Sequence, residues 1–174
     1  MAMVGLFWIA EGDVYVGSKP SGLAPGVRLT PDGVTGLGHP QSGLWLWDDV
    51  ESLTVEDVPL KSLKRHVGVV VEMALSMGLG GGQDAEGTMT VCVGTADEEI
   101  ELTTYTAAAS GYSQTEYDLS RALLSRLTDG AATMMTTLAA MAEWGRSHEG
   151  GTPRRDERER LLREWADGQN APHA

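Results

Sequence analysis

The chain has little of what disulfide-bonded, metal-binding or membrane proteins depend on. It holds one cysteine in 174 residues, so an internal disulfide is impossible, and Cys92 lies in an apolar alternation typical of a small buried side chain. The four histidines, His39, His66, His148 and His173, lack the spacing of a zinc site. No apolar run approaches the ~18 residues of a membrane helix, and the N-terminus lacks the basic residues of a signal peptide. We expect a cytoplasmic protein without metal or cofactor.

Positive charge is scarce as well. Thirteen Lys and Arg face twenty-five Asp and Glu, which gives a net charge of −12. Residues 1–145 hold seven basic and nineteen acidic residues, whereas residues 146–174 hold six of each. The excess negative charge therefore lies on the expected folded body. Such a field disfavours nucleic acids and anionic membranes as partners, but it is compatible with a basic protein partner.

The usual catalytic patterns are also missing. The sequence has no Gly-x-Ser-x-Gly elbow, and Cys92 has no basic neighbour in the sequence to lower its pKa. The glycine-rich stretch from Gly78 to Gly82 lacks the lysine of a phosphate-binding loop and is expected to be a hairpin loop. Asp48, Asp49 and Glu51 do not follow the spacing of a calcium-binding loop, so we expect a solvated bend there. We therefore predict no catalytic residue, no metal ligand and no enzymatic activity.

The strongest positive signal is the alternation Leu44-Trp45-Leu46-Trp47. In a strand the two tryptophans share one face and the leucines the other. Because a buried tryptophan removes roughly 150–250 Å² from water, we expect this pair to mark the core side of the sheet. Asp48-Asp49 then predicts a bulge or tight bend, after which residues 50–55 continue the strand.

Further patterns predict about seven strands followed by helices. Strands are expected at residues 4–10, 14–16, 27–30, 34–35, 44–55, 67–75, 88–93 and 99–105. After Thr106 the period changes: Ser113 and Glu116 have capping-box spacing, and an apolar stripe of Leu119, Ala122, Leu123 and Leu127 follows. Residues 133–144 predict a second helix, and residues 154–167 a marginal, charged amphipathic helix.

The fold class predicted by this order is α+β. About seven antiparallel strands would form a small, partly open barrel capped by the first helix, with a helical C-terminal extension. The expected division is a barrel with its capping helix at residues 1–130, a helical extension at 131–146, and a charged tail, helical or disordered, at 147–174.

The run Trp-Asp-Asp-Val-Glu-Ser-Leu-Thr-Val at residues 47–55, set among antiparallel strands that end in an amphipathic helix, resembles the bacterial pleckstrin-homology-like domains. The resemblance spans roughly residues 4–128. It implies a barrel used as a binding scaffold, without catalytic residues. Members of the family that bind lipids use a basic pocket at the open end of the barrel, and the acidic body here argues against inositol phosphates.

Two sets of residues are candidate binding sites. The apolar stripe of the extension either packs on the body or docks to another chain, and the tail offers further apolar residues to a protein partner or to a second copy. This protein-binding set is Met134, Met135, Leu138, Met141, Trp144, Leu161, Leu162 and Trp165. Lys61, Lys64 and Arg65 form the only basic cluster of the body. They are either a solvated loop or a site for a small anionic ligand or phospholipid headgroup. The favoured function is a non-enzymatic protein-interaction or scaffold module.

Overall fold

The computed structural model describes residues 2–39, 41–61, 87–108 and 111–168. These residues form an α+β fold of nine antiparallel strands in two sheets, followed by three helices. The strands are β1 (Ala2–Val4), β2 (Phe7–Ala10), β3 (Asp13–Val16), β4 (Gly26–Leu29), β5 (Gly33–Leu37), β6 (Gly43–Leu46), β7 (Ser52–Glu56), β8 (Thr88–Gly94) and β9 (Glu99–Tyr105). The helices are α1 (Gln114–Leu127), α2 (Ala131–Ser147) and α3 (Arg155–Asp167).

The first sheet is a meander in which β1 to β6 pair in chain order. The turn between β2 and β3 places Glu11 and Gly12 at φ values of 52° and 92°, the left-handed pair that a tight two-residue hairpin requires. Between β4 and β5, Pro31 and Asp32 form the predicted turn, and the Thr30 N–H donates to the Gly33 carbonyl over 3.0 Å. The hairpins expected in the N-terminal third are confirmed.

The second sheet contains β7, β8 and β9, again in chain order. Its inner face is apolar, with Val55, Val91 and Leu102 buried, while Glu99 and Glu101 on the other face are exposed. This is the alternation expected of an antiparallel sheet that covers a core on one side, and it was predicted for β8 and β9.

The chain changes sheets directly after the tryptophan strand. Trp47 is buried and its indole N–H donates to the Thr30 carbonyl over 2.7 Å, while Trp45 is half-buried over Gly36. The predicted inward face is therefore confirmed. The predicted continuous strand was wrong, because β6 ends at Leu46 and residues 52–56 belong to the other sheet.

Hydrogen bonds outside the strand ladders join the two sheets. The Ser18 N–H donates to the Tyr105 carbonyl over 2.8 Å, and the Thr104 hydroxyl donates to the Val16 carbonyl over 2.9 Å. The Gln41 side chain donates to the Gly26 carbonyl over 3.2 Å and also bonds to β9. The described strands form two linked sheets and no closed barrel, whereas the sequence suggested one partly open barrel.

Helix α1 begins where the sequence predicted. The Ser113 hydroxyl accepts a hydrogen bond from the Glu116 N–H over 3.2 Å, which satisfies one of the free donors of the first turn. Leu123, Leu124 and Leu127 form the buried face of the helix. Ala122, which the predicted stripe included, is exposed.

Helices α2 and α3 pack back on the rest of the chain. Helix α2 lies against β2 and β3, and α3 lies against α1 and β1. Trp144 stacks on His148 with ring centroids 4.4 Å apart and meets Trp165 edge-on at 5.9 Å. One buried apolar cluster runs from Val4 to Trp165, so both helices of the extension contribute to the core of the body.

The turn between β1 and β2 explains how α3 is seated. Gly5 has φ 58°, and a Cβ there would collide with the Ser120 hydroxyl and the Leu162 side chain. Only glycine combines this left-handed backbone with so close an approach. The next residue, Leu6, donates its N–H to the Ser120 hydroxyl over 3.1 Å, which joins the turn to α1.

The predicted strand at 67–75 and the predicted glycine loop at 78–82 lie outside the described residues.

Candidate binding surface

An open cleft of about 370 Å³ lies between β7 and α1. One wall is the first half of β7 with the residue before it, and the other is the exposed side of α1. Most of the lining side chains are polar: Glu51, Ser52, Leu53, Thr54, Asp118, Arg121, Ala122, Ser125 and Thr128. The cleft therefore offers hydroxyl groups and charges beside apolar surface.

The charge of the cleft is predominantly negative. Glu51 and Asp118 supply two exposed carboxylates and Arg121 one exposed guanidinium. The Arg121 guanidinium lies 5.4 Å from the centre of the Tyr117 ring, a cation–π contact. Among the described residues it forms no ion pair, so neither carboxylate of the cleft is neutralised by a salt bridge within that part of the chain.

Negative charge is concentrated in two segments of the chain that contribute to the cleft. Residues 29–60 and 87–120 contain no lysine or arginine. They carry eleven exposed acidic residues: Asp32, Asp48, Asp49, Glu51, Glu56, Asp57, Asp97, Glu98, Glu99, Glu101 and Asp118. We call these eleven residues the acidic face. The whole net charge of −12 thus belongs to two segments that build β5 to β9 and the start of α1.

Cys92 lies under this face, in the middle of β8. Burial raises the pKa of its thiol, the carboxylates of Glu56, Glu99 and Glu101 raise it further, and the hydrogen bond with Thr54 lowers it only in part. A protonated thiol is a poor nucleophile. The interpretation of Cys92 as a small buried side chain agrees with this environment.

Potential metal ligands come together at one place among the described residues, where the Cys92 sulfur lies near carboxylate oxygens of Glu99 and Glu101. The two glutamates are exposed and the thiol favours its protonated form. Hard divalent cations prefer oxygen ligands, whereas softer metals require a thiolate. A set of one thiol and two carboxylates suits neither class of metal ion. Among the described residues, Asp48, Asp49 and Glu51 do not come together as a group of possible metal ligands.

The best-defined polar contact in the described residues is an ion pair that joins α1 to α3. Arg158 donates to both carboxylate oxygens of Glu116, over 2.6 and 3.2 Å, and also to the Pro153 carbonyl over 2.7 Å. The Ser113 hydroxyl donates to the same carboxylate over 3.0 Å. Glu116 is only 2% exposed, so this pair is a structural contact and not a surface site.

The hydrogen bonds of Glu116 outweigh the effect of its burial. Desolvation alone raises the pKa of the Glu116 carboxyl, but the hydrogen bonds and charge of Arg158 and the bond from Ser113 lower it below its usual value. The carboxylate is therefore held in its charged form. The capping box identified Ser113 and Glu116 in the sequence, whereas nothing local pointed to Arg158.

Most of the predicted protein-binding residues lie inside the fold. Met135 is half exposed and Trp144 partly buried. The remaining six are buried: Met134, Leu138, Met141, Leu161, Leu162 and Trp165. Of the two alternatives for the apolar stripe of the extension, packing on the body is therefore the arrangement in this fold.

The predicted basic cluster is described only in part. Lys61 is exposed, and its N–H donates to the Tyr112 carbonyl over 2.9 Å. Lys64 and Arg65 lie outside the described residues, so their role in binding an anionic ligand stays a prediction.

Sequence reasoning missed the cleft. Asp118, Arg121 and Ser125 were not among the residues that the sequence singled out, and Glu51 was expected only as part of a solvated bend. Only the packing of α1 beside β7 brings them together. The clustering of all excess negative charge in two basic-free segments was the signal in the sequence that could have indicated the acidic face.

The comparisons with known proteins identify no relative. No protein-family model, no curated protein and no solved structure matches the chain. None of the described helices combines the length and apolar character needed to cross a membrane.

Proposed function

We propose that this chain is a non-enzymatic protein-interaction module that binds a basic segment of a partner protein at the cleft and the acidic face. The observation that carries the proposal is that an open cleft lined by Glu51 and Asp118 is built partly from two segments that expose eleven carboxylates and contain no lysine or arginine. Uncompensated charge of one sign over such an area attracts the opposite charge and accelerates its association.

The chemistry of the cleft indicates the kind of segment that it binds. Glu51 and Asp118 offer carboxylates to lysine or arginine, and the hydroxyls of Ser52, Thr54 and Ser125 offer further hydrogen bonds. Arginine pairs with carboxylates through two parallel hydrogen bonds. Arg121 on the same wall disfavours a uniformly basic segment, so we expect spaced basic residues separated by small polar ones.

Two parts of the sequence-based expectation remain proposals. The position of α1 directly after the last strand supports a pleckstrin-homology-like scaffold. Binding through the helical extension, or self-association through it, would require α2 or α3 to leave the core, because six of the eight residues concerned are buried. The acidic face needs no such change and is the surface we favour.

The test measures fluorescence anisotropy with a labelled peptide of alternating arginine and serine. Charge reversal of the cleft in Glu51→Lys/Asp118→Lys should weaken binding by at least about tenfold, since two attractive contacts of up to about 1 kcal/mol each are lost and two repulsive ones replace them. The matched control is Glu143→Lys/Glu149→Lys, which changes the net charge equally at exposed residues far along the chain and should weaken binding by less than about threefold.

Circular dichroism of both variants should show the native fold. Equal weakening by the two double variants would mean that only net charge matters and would overturn the proposal. Undiminished binding by the cleft variant would overturn it as well.

A further inference from the structure

In the part of the chain that the structure describes, no strand pairs with the outer edge of β6, the last strand of the six-stranded sheet. Two hydrogen bonds fix which way its backbone faces: the Trp47 N–H donates to the Asp32 carbonyl over 3.3 Å, and the Thr30 N–H donates to the Gly33 carbonyl over 3.0 Å. Because hydrogen-bonded residues alternate along an antiparallel strand, Gly43 and Trp45 bond to β5.

Leu44 and Leu46 therefore direct their amides and carbonyls away from the sheet. The Leu46 carbonyl accepts the Asp49 N–H over 2.9 Å. Within the described residues the Leu44 N–H, the Leu44 carbonyl and the Leu46 N–H have no partner. Leu44 and Leu46 are 51% and 48% exposed. Apolar surface therefore lies beside these unpaired backbone groups.

The outer edges of β1 and β9 are occupied by groups from elsewhere in the described part of the chain. On β1, the Met3 N–H donates to the Thr152 hydroxyl over 3.1 Å, and α3 packs beside the strand. On β9, the Thr103 N–H donates to the Gln41 side chain and the Thr103 carbonyl accepts from it, each over 2.8 Å. Natural proteins also protect edges with lysine, proline, a bulge or a very short strand. Of these devices, Gly43–Leu46 has only its short length.

We propose that the β6 edge accepts an extended segment of a partner protein as an additional antiparallel strand, with apolar residues beside Leu44 and Leu46 and basic residues beside Asp48 and Asp49. This surface is separate from the cleft, and the proposal does not depend on the cleft being a binding site. The backbone groups supply pairing, and the flanking side chains supply selectivity.

The negative charge beside β6 indicates which kind of strand binds at its edge. Asp32, Asp48 and Asp49 are exposed at the Leu46 end of the strand, and residues 29–60 contain no lysine or arginine. A second copy pairing through its own β6 would bring no basic residue from this region to these aspartates. A basic strand from a different protein supplies the opposite charge that a second copy lacks here.

Antiparallel pairing fixes the direction of the partner. The N-terminal end of the incoming strand lies beside Asp48 and Asp49, because these residues follow the C-terminal end of β6. A suitable probe is acetyl-Arg-Arg-Val-Thr-Val-Thr-Val-amide. Two controls keep its composition: the reversed sequence, with both arginines at the C-terminus, and a version N-methylated at alternate residues on the pairing edge.

Amide hydrogen exchange of the full chain, followed by NMR, reads out the edge directly. With the probe in tenfold excess over its Kd, exchange at Leu44 and Leu46 should slow by about tenfold. The N-methylated probe should bind at least about tenfold more weakly, because it lacks the pairing donors. The reversed probe should also bind more weakly, because its arginines lie away from the aspartates.

Leu44→Pro tests the protein side, since proline removes an outward N–H without removing a bond to β5. It should abolish probe binding, while Leu44→Thr, which keeps the N–H, should retain it in part. If the N-methylated probe protects these amides as well as the parent, the proposal is overturned, whether or not the proline variant folds. Protection that rises with protein concentration in the absence of probe would instead indicate a second copy, and would also overturn it.

Discussion

The ion pair between Glu116 and Arg158 provides the sharpest test of how α3 is held. Both side chains are largely buried, with exposed fractions of 3% and 12%. Glu116→Gln keeps the size of the side chain and removes its charge, which leaves Arg158 buried without a counter-charge. Removing one partner of a buried pair typically costs 3–5 kcal/mol. Because Arg158 can regain some water at its exposed part, we expect the lower end, about 3 kcal/mol.

Urea unfolding measures this loss. With a slope of about 2 kcal/mol/M, a loss of about 3 kcal/mol lowers the midpoint by about 1.5 M. The corresponding fall in Tm is about 6–12 °C for a chain of this length. The control is Glu143→Gln, which breaks the exposed Glu143–Arg146 pair, 2.8 Å long, and should cost less than about 1 kcal/mol.

A double-mutant cycle isolates the pair itself. The double variant Glu116→Gln/Arg158→Met leaves no uncompensated charge at this site. Its loss in free energy of unfolding should therefore be smaller than the sum of the losses of the two single variants. The reasoning is refuted if Glu116→Gln costs no more than Glu143→Gln, or if the two losses are additive.

The remaining predictions concern pH, Cys92 and the C-terminal helix. The folded-state pKa of Glu116 lies below its ordinary value of 4.5. Its contribution to the free energy of unfolding should therefore be complete above pH ~4.5 and disappear as the pH falls through the folded pKa. Urea curves of wild type and Glu116→Gln should converge in acid, and a constant difference down to pH ~2 would contradict this. Cys92 is 3% exposed, so iodoacetamide should alkylate it more than about tenfold faster in urea than in the native state; equal rates would contradict its burial. Truncation after residue 152 removes the buried Leu161, Leu162 and Trp165, at about 1.5–3 kcal/mol each, and should unfold the body or nearly so. Truncation after residue 168 should leave it folded. The division expected from the sequence had placed the body within residues 1–130.

Local patterns predicted local structure well. The Leu-Trp alternation gave the inward face of Trp45 and Trp47, and the spacing of Ser113 and Glu116 gave the start of α1. These features depend on residues close in sequence. The antiparallel α+β class followed from the same kind of evidence.

Long-range features could not be predicted in this way. The sequence predicted the bend at Asp48 and Asp49. It could not predict that the chain then changes sheets, because β7 pairs with β8, a strand far along the chain. The charged sequence of α3 suggested a marginal helix because an isolated helix of this length is barely stable in water. Its burial depends on α1 and β1, and on the pairing of Arg158 with Glu116, which lies 42 residues away. The cleft likewise exists only because α1 packs beside β7.

The central functional claim is that a basic segment binds between β7 and α1. The most direct measurement is NMR chemical-shift mapping of the intact chain with the alternating arginine–serine peptide at near-physiological salt. We predict that the largest shifts fall on the amides of Glu51 to Thr54 and Asp118 to Ser125, with little change at Glu143 and Glu149. Shifts spread evenly over all acidic residues, or absent from the cleft, would contradict the account.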